Sequence, residues 1–318
     1  MPRFLLGVVV VLSVLYAGYW FVGREVLARG IARLEAEASE QGVDVTYDDL
    51  HIRGFPSRFD TTLTAPEVRS ADGRFSWAAP FFQAFMLSYQ PGRFILIWPN
   101  DQRLDLAGAA YDAASVDMRA SLAVGLTPDA PVNAATLETG AVTVTGPSGD
   151  VISWARGLAA LRDDKVSEPG HPYDLFAEAT GIDHPTLGTG LSVRFDGTGM
   201  FDGPIDRHAL NGLPRLTVLA VRDLSIRGNG LLVSATGTLS VNAAGELNGA
   251  LDLVLPDPPT APARALEPGL LTTGQANLIG SAFEAIAADD GGVTLPLTFE
   301  NGIAAVAGIS LGIVPRLW

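Results

Sequence analysis

The chain has 318 residues, no cysteine, and 35 acidic against 21 basic side chains, a formal net charge of −14. Its cations are 20 Arg and one Lys, scattered without a basic run or an aromatic-interleaved basic patch, which excludes nucleic-acid binding as a function class. The acidity also excludes docking by net charge on anionic lipid head groups, and the absent cysteines exclude disulfides and thiolate metal sites.

In chain order, the first feature is an uncharged run, FLLGVVVVLSVLYAGYWFV, from Phe4 to Val22. At about 1.5 Å per helical residue it is long enough to cross a hydrocarbon core of about 30 Å. Tyr16, Tyr19, Trp20 and Phe21 crowd its C-terminal end, where amphipathic rings favour the membrane–water interface. A cleaved signal peptide needs small residues in an A-x-A-like arrangement, and Leu15-Tyr16-Ala17 offers Leu at the first of these positions. Residues 1–23 are therefore expected to be an uncleaved anchor. Arg3 on one side, and Arg24, Arg29 and Arg33 diluted by Glu25 and Glu35 on the other, leave orientation undecided by charge, even leaning towards a cytoplasmic C-terminus. Because large domains translocate largely regardless of charge, the expected arrangement is single-pass in the inner membrane through residues 4–22, with the C-terminal domain in the periplasm.

Residues 24–42 read as a juxtamembrane helix: Leu27, Ile31, Leu34 and Ala38 recur at helical period, and Gly42 is placed to stop it. Over 43–150 the period becomes two, as in Val43, Val45 and Tyr47 or Phe59, Thr61 and Leu63, with turns at Pro91-Gly92 and Pro99-Asn100-Asp101. Residues 151–190 read as a helical insert, from Ile152, Ala155, Leu158, Ala159 and Leu161 and a short helix near Tyr173–Thr180. Residues 191–318 form a second β-rich half. In it Asn229-Gly230, Asn242–Gly245 and Asn301-Gly302 make hairpin turns, Ala263–Leu271 and Gln275–Ala288 are helical, and Leu295, Leu297 and Phe299 share a face. The expected fold class is mainly β within α+β: a transmembrane helix, then antiparallel, meander-rich sheet with a few covering helices.

The chemistry in this pattern is sparse. Gly308-Ile309-Ser310-Leu311-Gly312 matches G-x-S-x-G, but a nucleophile elbow needs a strand-to-helix turn and a downstream acid and His. After Gly312 come six residues, none of them Asp, Glu or His. His171, Asp174, Glu178, Asp183 and His184 are the one cluster of ligand-type residues, and with Pro172 and Pro185 beside the histidines they read as a solvated loop before a metal site. Adjacent acids such as Asp48/Asp49, Asp163/Asp164 and Asp289/Asp290 do not converge on one substrate atom. No catalytic residue, cofactor or metal is expected.

Gly54-Phe55-Pro56 and Trp77-Ala-Ala-Pro80 read as tight turns with anchored aromatics, or as an aromatic rim for a lipid or partner. The same segments, HIRGFPSRFD and WAAPFFQAFMLSYQPGRFILIWP, with the closing LPLTFENG and ISLGIVPRLW, resemble a bacterial envelope family catalogued as domain of unknown function 2125. More remotely, LSIRGNGLLVSATGTLSVNAAGELNGALDLVL resembles the strand–turn pattern of the AsmA-like superfamily. That resemblance implies an anchored periplasmic β protein concerned with lipid traffic or outer-membrane assembly.

The functional expectation is a membrane-anchored envelope protein that binds or moves lipid or aids outer-membrane assembly, its partners being the inner membrane and lipid or envelope proteins. The candidate lipid or partner face is Leu247, Leu251, Leu253 and Leu255, which alternate with Asn248, Ala250 and Asp252. The alternative is a non-catalytic interaction scaffold in the periplasm, with that face filled as core.

Overall fold

A computed structural model of the chain describes residues 2–164, 170–228, 231–255, 274, 293–306 and 308–318, with backbone alone at 2, 210, 211, 231 and 255. It opens with one helix, α1, Pro2–Glu40, so the segments expected as anchor and juxtamembrane helix are continuous. Gly42, at φ +78°, follows as the expected stop and donates to the Ser39 carbonyl. Leu27 and Ile31 are half-buried and Ala38 is buried, but Leu34 is exposed. A helix of 3.6 residues per turn brings Glu35, not Leu34, onto the packed face.

Ten strands come next: β1 Val43–Thr46, β2 Asp49–Arg53, β3 Arg58–Thr64, β4 Glu67–Ser70, β5 Phe75–Ala78, β6 Phe81–Leu87, β7 Arg93–Ile97, β8 Asp101–Leu106, β9 Ala109–Ser115 and β10 Arg119–Val124. Then come β11 Val132–Thr139, β12 Val142–Thr145, β13 Val151–Trp154, β14 Arg156–Asp163, β15 His171–His184 and β16 Gly188–Phe201. After a 3-10 turn at Arg207–Asn211 the series closes with β17 Leu216–Gly228, β18 Leu231–Val241, β19 Leu247–Leu255, β20 Val293–Glu300, β21 Ile303–Val306 and β22 Ile309–Ile313. The chain divides into two compact units: 1–135 with 144–149 and 206–213, and 136–143 with 150–205 and 214–318.

The first unit is a pair of antiparallel ladders. One runs β1–β4–β5–β8–β9 and the other β2–β3–β6–β7–β10. They meet through aromatic edges: Trp77 of β5 lies edge-on to Phe82 of β6 at 6.4 Å, and Phe82 to Trp98 at 5.2 Å. Trp77 Nε1 donates to Gln102 Oε1 at 3.0 Å, so its one polar atom is satisfied where the ring is half-buried.

The second unit is a meander in which β14 through β22 pair in chain order, all antiparallel. Val293, Leu295 and Phe299 are buried along β20, and Leu297 is half-buried, so the expected shared face is present. Asn301 and Gly302 both have positive φ, +50° and +77°, as a tight hairpin requires. The second hairpin turn also forms: Asn242 Oδ1 accepts from the amides of Ala244 and Glu246.

The helical reading of 151–190 is overturned. Val151–Trp154, Arg156–Asp163 and His171–His184 are strands, and β14 pairs with β15 residue for residue from Arg156↔Thr180 to Asp163↔Tyr173. The Ala- and Leu-rich run Gly157–Leu161 favours helix locally, but propensities of a few tenths of a kcal/mol per residue yield to an eight-residue ladder. Its burial follows neither period cleanly, because most positions on both faces are partly covered. The helices expected at 263–271 and 275–288, and the Asn229-Gly230 turn, lie outside the described residues.

Candidate functional site

The leucine face predicted on β19 forms, with Leu247, Leu251 and Leu253 directed to one side. Leu251 is 4% exposed and packs in a cluster with Val221, Ala235, Leu239, Phe299 and Ala304, against which Leu247 and Leu253 also lie. Leu255 is described by its backbone, which pairs with Val293. Glycines make this packing possible: Gly237 sits opposite Leu251, and Gly249 opposite Leu239, so each leucine faces a residue without a side chain. At Leu251 this face is core.

The ligand-type cluster is spread along β15. Asp174 Oδ2 accepts from Arg162 at 3.0 Å and its Oδ1 from Thr198 and Arg222, both at 3.2 Å. The Arg162 hydrogen bond, with Thr198 and Arg222 behind it, holds the Asp174 carboxyl below its ordinary range against partial burial. Glu178 pairs with Arg194, Asp183 accepts from the Gly190 amide, and His184 Nδ1 accepts from the amides of Thr186 and Leu187. These groups are committed to cross-strand pairs and turn caps, and among the described residues no group of His, Asp or Glu has metal-site geometry. Ser310 lies within β22, not at a strand-to-helix turn.

A different place gathers function-bearing residues: the end of the first unit where α1 meets the sheet. Strand β3 begins there, β6 ends, β7 begins and β10 ends. Trp20 is 5% exposed, stacks on Phe59 at 5.7 Å, and donates from Nε1 to the Arg58 carbonyl at 2.7 Å. Tyr19 Oη donates to the Ser88 carbonyl at 2.6 Å, and Tyr16 Oη shares a hydrogen bond with Ser88 Oγ at 3.1 Å. The aromatic rings at this end of the apolar segment are thus bonded to the β2–β3 and β6–β7 turns. Phe55, at the tip of the first turn, lies 5.4 Å from Trp20 and 5.9 Å from Phe21 yet remains 54% exposed. Tyr89 on the second turn is 62% exposed, and Leu126, just past β10, is 74% exposed. Three large apolar tips therefore project at one end, around a helix whose own residues Phe4–Leu15 are exposed.

Beside this end lies an open cleft of about 640 Å³. Cross-strand register places Arg58, Asp60, Phe85, Leu87, Arg93 and Ile95 on one face of β3–β6–β7, while Phe59, Met86 and Phe94 point to the other. Ile95 is 52% exposed in the cleft wall, and Phe85 and Leu87 are half-buried. Sequence reasoning did not find this cleft. The available signal was that Ala84–Leu87 and Phe94–Ile97 are apolar at successive positions, which marks strands whose second face is not simply left to water.

Fold and site together define a β-rich domain carried on a helix long and apolar enough to cross a membrane, a test that a signal sequence also meets. The chain belongs to the bacterial family described as "Uncharacterized protein conserved in bacteria (DUF2125)", which matches residues 20–315. No curated protein and no solved structure matches the chain, and the more remote AsmA-like resemblance stays an expectation from the strand–turn pattern.

Proposed function

We propose that this protein is a single-pass inner-membrane protein whose β domain lies in the periplasm and handles lipid, without catalysing a reaction. One observation carries the reading. The aromatic end of α1 is built into the domain through Tyr16, Tyr19 and Trp20, so a membrane spanned by Phe4–Val22 would have Phe55, Tyr89 and Leu126 at its interface. A leader removed near Ala17 would take Tyr16 with it, whereas here Tyr16 is bonded to the buried Ser88.

The test is lipid content. The full chain, extracted in detergent and passed through repeated detergent exchange, should retain phospholipid in fixed proportion to protein by mass spectrometry. Loss of all lipid on exchange would contradict lipid handling.

A scaffold reading is favoured by the packed second unit, where Leu251, Val293 and Leu295 are all buried. In that case a partner protein, not lipid, would remain with the chain through purification.

A further inference from the structure

We propose that the cleft on the outer face of β3–β6–β7 seats one phospholipid drawn from the anchor's own membrane, its phosphate held by Arg93 with Arg58 and its acyl chain lying along Phe85 and Ile95. The inference rests on the lipid-handling reading above and names its site and ligand class.

Three observations converge on it. The first is position: Arg58 supplies both the carbonyl that receives Trp20 Nε1 and a wall of the cleft, so the cleft begins where the anchor docks. The second is the order of chemistry along the strands. The row nearest the helix carries Arg58, Leu87 and Arg93; the next row on that face carries Asp60, Phe85 and Ile95, and the one after it Thr62, Gln83 and Ile97. Along β7 the order is Arg93, Ile95 and Ile97, a cation at the mouth and apolar side chains beyond, so a lipid seated here lies with its head group towards α1 and its chain away from it. The third is charge. In a chain of net −14, two arginines frame this mouth. Arg58 is bonded to Asp60 at 2.7 Å, whereas among the described residues Arg93 has no ion-pair partner and is exposed. A guanidinium suits a phosphate because its planar donors match two of the oxygens. Exposed Ile95 in a concave wall gains by covering with hydrocarbon.

The full chain, reconstituted into vesicles of phosphatidylethanolamine and phosphatidylglycerol containing a phospholipid with a photoactivatable acyl chain, tests this directly. Irradiation and peptide mapping should label Phe4–Val22 and, separately, the peptides carrying β6 and β7. Ile95→Asp should reduce the β6–β7 label about tenfold or more, since a carboxylate there would oppose hydrocarbon, while the helix label stays. Arg93→Glu should weaken the same label, and Arg93→Lys should restore part of it. Label confined to the helix and the loop tips, or β6–β7 label indifferent to both substitutions, would overturn the proposal. Lipid retained through detergent exchange but absent from β6–β7 would overturn this site alone and leave the lipid-handling reading standing.

Discussion

The indole of Trp20 lies against the ring of Phe59 with centroids 5.7 Å apart and planes 16° from parallel, so a residue of the apolar helix and one of the sheet form a single core. Ile52 completes the buried cluster, and Leu27, Ala28, Leu50 and Met86 pack around it. The apolar helix is a structural element of the first unit, not a leash.

Trp20→Ala should therefore destabilise the first unit by about 3–5 kcal/mol, as removal of large buried rings does. Trp20→Phe, which can retain stacking but loses the 2.7 Å bond to the Arg58 carbonyl, should cost about 1 kcal/mol. Denaturant titration of the detergent-solubilised chain checks both. Membrane retention should be unchanged in each, because Phe4–Leu15 is untouched.

Leu251→Gln should collapse the second unit. The residue is 4% exposed among Val221, Leu239 and Phe299, and an unpartnered amide there costs about 1–3 kcal/mol beyond the lost packing. Thermal melts should show a large loss, with Phe299→Ala losing about 3–5 kcal/mol beside it. A near-wild-type melt for Leu251→Gln would mean the face is open.

Gly237→Ala probes the same packing from the other strand. Its φ is +148°, and an added Cβ would stand 2.5 Å from the Ala250 carbonyl oxygen and 3.0 Å from the Leu251 Cα. Backbone atoms cannot swing aside as a side chain can, so the substitution should destabilise by about 1–3 kcal/mol. A neutral result in chemical denaturation would show that β18 and β19 separate easily.

Asp174 predicts a pH dependence. Its carboxyl is held low by the hydrogen bond from Arg162, then by Thr198 and Arg222, so the native state binds the proton less readily than the unfolded chain. The stabilisation is present above the unfolded value of about 4 and disappears as pH falls through the lower folded value. Both arginines are largely exposed, which limits it to about 0.5–1 kcal/mol. Asp174→Asn should be less stable than wild type near neutrality, and urea midpoints of the two should converge in acid.

How much of this was legible in the sequence depended on where period and propensity agreed. The apolar run, the two-residue alternation at Phe59–Leu63 and Val293–Phe299, and the Asn-Gly turn at 301–302 each spoke locally and formed as expected. Gly157–Leu161 misled because its composition favours helix and its strand state depends on β15, brought beside it only by the fold. The leucine face of β19 was readable as apolar, but its burial at Leu251 depends on Gly237 and Leu239 across the ladder. The docking of α1 and the cleft escaped for a similar reason. Tyr19 and Ser88 are 69 positions apart, and no short-range pattern announces their bond.

The central claim, that the docked helix holds the domain against the outer side of the inner membrane, is tested most directly by protease accessibility in spheroplasts. The account predicts that protease added to intact spheroplasts digests the β domain of a chain that stays with the membrane in high salt and retains Met1–Val22 in its mass. Digestion only after the inner membrane is opened, or a soluble form trimmed at its N-terminus, would contradict it.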